Sequence, residues 1–415
     1  MNHKGSINGR KTILALGWTS FFMDVSSEMI YPLLPGFLSL LGAGSVAIGF
    51  VAGLSESTAS FFRILSGTLS DRLKKRKIAV LLGYGISTLS RPILALASTW
   101  SQVLGFRLLD RAGKGVRTPP RDALIADAVA KDRYGRSFGI QRAMDTAGAV
   151  LGPALASGIL MLGFGHRDVF WISLLPACLA VVTIQIFVRE AARHPVYAEA
   201  PEPARVRGSK AEAASTSPMR SPFPREMKLF LLVTAVFSLG NSSNFFLVLR
   251  AQHLGFSERI IPILYLSMNA VYALLSYPAG RLADRYGKGK IAFLGFFMFA
   301  GVYALFAMNV SKTALWALFP LQGIYLAITD GVNTAYMATL IPKERRATGF
   351  ALYHTVIGLA LLPAGIFGGW LWRRFSPEAT FIAGSVLALA AGILFGILHL
   401  RGEFARGAPG TEGSR

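Results

Sequence analysis

Twelve long apolar runs divide the chain, and they decide most of what it can fold into. They cover residues 13–41, 46–70, 78–98, 101–127, 137–163 and 169–188, then 228–250, 258–283, 290–309, 313–341, 346–372 and 379–400. A helix needs about 20 residues to cross the hydrocarbon core of a bilayer, and most of the runs reach that length. No water reaches a free backbone N–H or C=O in lipid, so each run is expected to be helical along its length. An all-α integral membrane protein with 12 transmembrane helices follows.

Composition agrees, with 53% apolar and only 16% charged residues. The net charge of +21 could suggest a nucleic-acid partner. The bases instead sit in short clusters between apolar runs, without a groove-reading motif, so no nucleic acid is expected. Lys4, Arg10 and Lys11 precede the first run, and Arg72 to Lys77 follow the second. Lys131, Arg133 and Arg136 follow the fourth, Lys288 and Lys290 the eighth, and Lys343, Arg345 and Arg346 the tenth. The alternate loops at 42–46 and 97–102 carry no charge. The positive-inside rule then puts both termini in the cytoplasm. Arg373 and Arg374 go against the rule, and Trp370 and Trp372 beside them suggest an interfacial anchor. The first run is too long for a cleaved signal and lacks a small-residue cleavage pattern. Cys178 is the single cysteine, which excludes an intramolecular disulfide and a cysteine metal site. No metal or cofactor is expected.

Residues 194–224 are rich in Pro, Ala, Ser, Glu and Arg and lack apolar periodicity. They read as a disordered cytoplasmic linker. The expected domains are a six-helix bundle over 1–190, the linker at 191–227, a second six-helix bundle over 228–402 and a cytoplasmic tail at 403–415. The halves repeat each other. Gly67-Thr68-Leu69-Ser70-Asp71-Arg72 ends the second run, and Gly280-Arg281-Leu282-Ala283-Asp284-Arg285 ends the eighth. Ala130-Lys131-Asp132-Arg133 similarly lies opposite Pro342-Lys343-Glu344-Arg345.

The paired Gly67 and Gly280 stretches resemble the signature loop of the major facilitator superfamily (MFS) between helices 2 and 3 and its echo between helices 8 and 9. The second fits G-x-L-A-D-R-x-G-[RK], while the first has Lys74 where the family usually has glycine. The resemblance covers nearly the whole chain. It is closest to prokaryotic members with a D-V-S-S-E-M-I-Y-P-L-L-P helix 1 and a D-R-x-G-K-G-x-R-T-x-P-R-D-A helix 4. It implies the MFS fold of two six-helix repeats, with gating loops at Gly67, Asp71, Arg72, Gly280, Asp284 and Arg285. It also implies a monomeric secondary transporter whose partners are a small-molecule substrate, protons and the bilayer. Such repeats place the substrate near the midplane between the halves. The chain has no GxxxxGK[ST] nucleotide loop, and no nucleophile–base pair that would make it an enzyme.

Charges inside the spans mark where chemistry would sit, because each costs about 2.5–3.5 kcal/mol at mid-bilayer on insertion scales. Asp24 and Glu28 lie one turn apart on one face of the first span. Glu28 and Pro32 resemble the acidic helix-1 motif of proton-coupled drug exporters. Glu56 and Arg63 share a face of the second span, and either a structural pair or a transport role fits them. Arg91 is expected to be an internal partner for an acid. The fourth span is the most charged: Arg107, Asp110, Arg111 and Lys114, then Arg117, Arg121 and Asp122. It resembles the family's R-x-x-Q-G-x-G-x-G motif at Arg107, Gly113 and Gly115, with Asp110 replacing glutamine. Gly148, Gly152 and Pro153 resemble the antiporter motif G-x-x-x-G-P-x-x-G-G, with Ala156 and Ser157 in its last places. In the family this motif goes with export.

The second half is poorer in buried charge. Asn241 and Asn244 are a neutral counterpart of Asp24 and Glu28, joined by Asn269 and by Asp330, which Arg250 or another base could pair. The expectation is proton-coupled efflux of a small molecule. Asp24, Glu28, Glu56 and Arg107 would serve proton coupling. Arg111, Lys114, Asn241, Asn244, Asn269 and Asp330 would contact substrate. Uptake of an anionic metabolite, or a non-transporting membrane receptor, are the alternatives.

Overall fold

The computed structural model describes residues 3–73, 76–128, 134–188, 223–308, 311–341, 346–401 and 403. Most of the linker and tail, and the basic loops at 130–133 and 342–345, lie outside them. So do the side chains of Asp71 and Arg72, whose backbone, with that of Gly67, is the last part of a helix.

Among the described residues, fourteen α-helices build the twelve spans. They are α1 (His3–Ile30), α2 (Leu34–Leu40), α3 (Ser45–Leu73), α4 (Arg76–Ala95), α5 (Trp100–Asp127), α6 (Tyr134–Met161) and α7 (His166–Phe187). After the linker come α8 (Arg225–Gly240), α9 (Phe245–His253), α10 (Ile261–Tyr286), α11 (Lys288–Ala307), α12 (Leu315–Leu340), α13 (Arg346–Arg374) and α14 (Pro377–Leu400).

The expectation of unbroken helices fails in two spans. The first tightens to a 3-10 turn at Tyr31–Leu33, between α1 and α2, where Pro32 and Pro35 remove backbone donors. The seventh opens between α8 and α9, at Asn241-Ser242-Ser243-Asn244. Those side chains compete with the helix for backbone hydrogen bonds, and the Ser243 hydroxyl accepts one from the Phe245 N–H at 3.3 Å. Irregular backbone survives at this depth because the protein surrounds it.

Among the described residues, ten helices or helix pairs are long and apolar enough to cross a membrane. The two spans left over contain α1 and α5, the helices that carry the acids and most of the buried arginines. Their charge is tolerable because other helices wrap them. In the first half α1 packs on α6 and α7, α3 on α5, and α4 on α5 and α7. In the second half α10 packs on α12, α11 on α12 and α14, and α8 on α13 and α14. Aromatic rings fill the second bundle, with Phe299 stacked on Tyr303 at 3.9 Å and Phe237 5.0 Å from Phe296.

The halves meet through α3 with α13 and α6 with α10. Gly49 and Gly365 bring two backbones into contact, and a Cβ on Gly53 would stand 2.6 Å from the Leu361 carbonyl oxygen. Only small residues allow this approach. The Ser45 hydroxyl donates to the Gly369 carbonyl at 2.8 Å, and that of Ser57 to Gly358 at 2.5 Å. Ser157 donates to the Arg259 carbonyl at 2.5 Å. These contacts lie between mid-span and the side of the uncharged loops, here the far side. Toward the opposite, basic side, Phe61 and Leu65 of α3 and Asp330 of α12 are exposed.

The expected Trp370–Trp372 anchor is corrected in part. Trp370 is half exposed, but the Trp372 ring points inward, 5.8 Å from Phe246 and 6.3 Å from Phe381.

Candidate functional site

Asp110 is the hub of the charged interior. Its side chain is 3% exposed and meets three guanidinium groups: Arg91 at 3.3 Å, Arg107 at 3.7 Å and Arg111 at 3.8 Å. Helical spacing puts Arg107, Asp110 and Arg111 on one stripe of α5, and α4 supplies Arg91. Sequence reading anticipated an acid for Arg91 but passed over Asp110 itself. The signal was present: an acid three residues after one buried base and directly before another.

Glu56 of α3 completes the group from the other side. Its Oε1 lies 3.6 Å from Arg111 Nη1 and 4.0 Å from Arg107 Nη2, and its side chain is 40% exposed. The suggested partnership of Glu56 with Arg63 is not formed; α5 provides the cations instead. Arg107 also lies over the rings of Tyr31 and Phe245, 5.6 and 5.7 Å from their centroids. Tyr31 sits 5.0 Å from Phe245 and 5.3 Å from Tyr265, so aromatic rings from both halves close the far end of the site.

The acids of α1 are held differently. Small residues of α6 press directly on them. A Cβ on Gly148 would lie 3.0 Å from the Asp24 Cβ, and one on Gly152 would lie 2.8 Å from the Glu28 Cβ. Pro153 is buried in the same contact. Neither acid makes an ion pair among the described residues, and Glu28 Oε2 is buried without a hydrogen-bond partner. Lys114, Arg111 and Arg107 are the cations that act on Glu28 from beyond ion-pair range. Asp24 feels Asp145 and Lys114.

Toward the basic side a second polar group crosses the first bundle. Arg121 donates to the Ser20 hydroxyl at 2.9 Å, pairs with Asp122 at 3.1 Å and approaches Asp145 at 3.9 Å. Gln141 donates to Ser20 and, at 2.9 Å, to Asp145. Arg117 is buried, with its guanidinium 4.6 Å from the Tyr84 ring centroid and donating to the Ser87 hydroxyl at 2.6 Å. These are ties between α1, α4, α5 and α6.

The second half contributes neutral groups. Asn241 closes α8 and Asn244 opens α9, so the broken span presents both at the midplane. Asn269 donates to the Ala149 carbonyl at 3.1 Å, across the two halves. Asp330 is exposed and accepts from the Tyr272 hydroxyl at 2.7 Å. Its suggested pairing with Arg250 is not formed: Arg250 binds Glu378 at 2.6 Å. Gly280, Asp284 and Arg285 lie at the basic-side end of α10, where Asp284 meets Lys288 at 3.7 Å.

The arrangement can hold a charged solute against Arg107, Arg111 and Glu56, and can take a proton on the Glu28 carboxylate, whose Oε2 is buried without a partner. Among the described residues no group of acids, histidines and cysteine is placed to hold a metal ion.

The sequence profile of the Major Facilitator Superfamily matches residues 16–250 and again 229–414. An uncharacterised MFS-type transporter of Methanocaldococcus jannaschii is 39% identical over 391 residues, 92% of this chain and 94% of the relative. The multi-drug resistance efflux pump PmrA of Streptococcus pneumoniae is 26% identical over 403 residues, 95% of this chain and 97% of that one. Among solved structures, a bacterial homologue of the human lysosomal transporter Spinster, inward-facing and unoccupied, superposes with a TM-score of 0.76. It covers 97% of this chain and 99% of its own at 15% identity, a likeness of fold.

Proposed function

The chain belongs to the Major Facilitator Superfamily of membrane transporters, and on that premise we propose that it exports a small molecule in exchange for protons. One observation carries the reading: Glu28 is a half-buried acid seated on Gly152, without an ion pair among the described residues, and its Oε2 is buried with no hydrogen-bond partner. An acid so placed is costly unless it is protonated for part of the cycle. Asp24 and Glu28 carry the protons in this reading. Glu56 and Arg107 tune them. Arg111, Lys114, Asn241, Asn244, Asn269 and Asp330 face the substrate, and the loops after α3 and α10 gate the basic side. That side is cytoplasmic in this reading, in the inner membrane of a prokaryote. Similarity to efflux pumps supports the direction.

The second reading, uptake of an anionic metabolite, draws on Arg107 and Arg111 meeting at an exposed carboxylate. An untargeted metabolite comparison of cells with and without the gene separates the two. Export predicts that a compound accumulates inside the deletion strain. Its depletion there would reverse the direction.

A further inference from the structure

Glu56 is the odd member of the charged group. Asp110 is sealed in, 3% exposed, and already offers a carboxylate to Arg107 and Arg111. Glu56 is 40% exposed and approaches the same two arginines at 4.0 and 3.6 Å. None of these four contacts closes to the about 2.7–2.9 Å of a well-formed pair, and of the two carboxylates only Glu56 is open to exchange. Its exposed edge does not look at lipid. Its neighbours are α5 and Tyr31 of the 3-10 turn after α1, and the adjacent Ser57 is bonded to α13 of the other half. It looks into the space between the halves.

The arginines have capacity left over. Both are under one-tenth exposed, and the Nε of each is buried without an acceptor. Their Nη groups converge on a single carboxylate oxygen. A displaced Glu56 also has somewhere to go. Arg63, two turns on along α3, and Lys114, one turn beyond Arg111, both act on Glu56, and neither makes an ion pair among the described residues.

We propose that Glu56 is a tethered occupant of a binding site for an anionic group of the substrate. A carboxylate or similar oxyanion takes its place on Arg107 and Arg111, and Glu56 turns toward Arg63 and Lys114. The rings of Tyr31, Phe245 and Tyr265 beside Arg107 favour a flat apolar body next to that group. The substrate is then a small organic anion with an aromatic or planar part. This rests on the central space being the transport path and is independent of the direction of transport.

A tethered competitor gives a signature that a structural role does not: removing it strengthens binding. Affinity for benzoate, with benzylamine as the cationic control, is measured on the detergent-solubilised full chain without any gradient. Glu56→Gln should tighten benzoate roughly tenfold, the worth of one charge-assisted contact released from competition, and should not create benzylamine binding. Arg111→Gln should abolish benzoate binding. Glu56→Asp, which keeps the charge but shortens its reach, should tighten benzoate less and covers a Glu56→Gln protein that fails to fold. Unchanged or weaker benzoate binding in folded Glu56 variants, or preference for benzylamine, would overturn the proposal. No proton gradient enters the assay, so its outcome is separate from the role of Glu28.

Discussion

Gly152 of α6 lies so close to Glu28 of α1 that a methyl group on it would stand 2.8 Å from the Glu28 Cβ and 2.7 Å from the Val25 carbonyl oxygen. One turn earlier Gly148 meets Asp24 and the Phe21 carbonyl in the same way. The glycines that resemble an antiporter motif thus set the depth and facing of the two helix-1 acids. Gly152→Ala cannot be accommodated by a flexible side chain, because backbone is in the way. It should cost about 1–3 kcal/mol by overpacking and lower transport more than yield. Transport rate per folded molecule is the measurement; an unchanged rate would separate the glycine from the acid.

Asp110 compensates three buried cations, so removing its charge strands them. Asp110→Asn should destabilise the first bundle by about 3–5 kcal/mol. Thermal unfolding in detergent should show it as a large drop in midpoint. A near-native midpoint would mean that Glu56 suffices to hold the arginines.

His166 Nε2 and Glu258 Oε2 lie 3.1 Å apart, a contact across the two halves that becomes an ion pair when the imidazole is protonated. It sits on the far side, and Glu258 also rests on Gly36 of α2. Glu258→Gln should shift the population a few-fold toward far-side opening. Spin labels at Ser98 and Ser311, exposed far-side positions in the two halves, report it as a longer distance. An identical distance distribution would leave the clasp to the neutral contacts of Ser45, Ser157 and Asn269.

Membrane orientation is tested by labelling in a Cys178→Ser background, since Cys178 is itself exposed. Cysteines at Gly44 and Ser98 should react in intact cells. One at Ser215 in the linker should react only after permeabilisation. The reverse pattern would invert the protein in the membrane.

The fold was legible because lipid leaves a chain few options: run lengths and basic loops are nearly sufficient. The site was only partly legible. Spacing along one helix put Asp24 with Glu28 and Arg107 with Arg111, because both pairs depend on a single element. The partners of Glu56 depended on how α3 crosses α5, which no spacing within α3 encodes, and spacing alone offered only Arg63. Asp330 and Arg250 parted for the same reason. Asp110 was overlooked because it stood where a motif has glutamine, although buried arginines on both sides required an acid. The break at Asn241–Asn244 was visible as a cluster of poor helix formers, and the general demand for helix in lipid outweighed it.

The central claim is that Glu28 carries the coupling proton. Glu28→Gln mimics the protonated acid permanently. Because Glu28 makes no ion pair among the described residues, the substitution should leave folded yield near normal. In liposomes with an imposed pH gradient, the purified variant should still exchange substrate but fail to accumulate it against a gradient. Full pH-driven accumulation by well-folded Glu28→Gln protein would contradict the account and move the proton to Asp24 or Glu56.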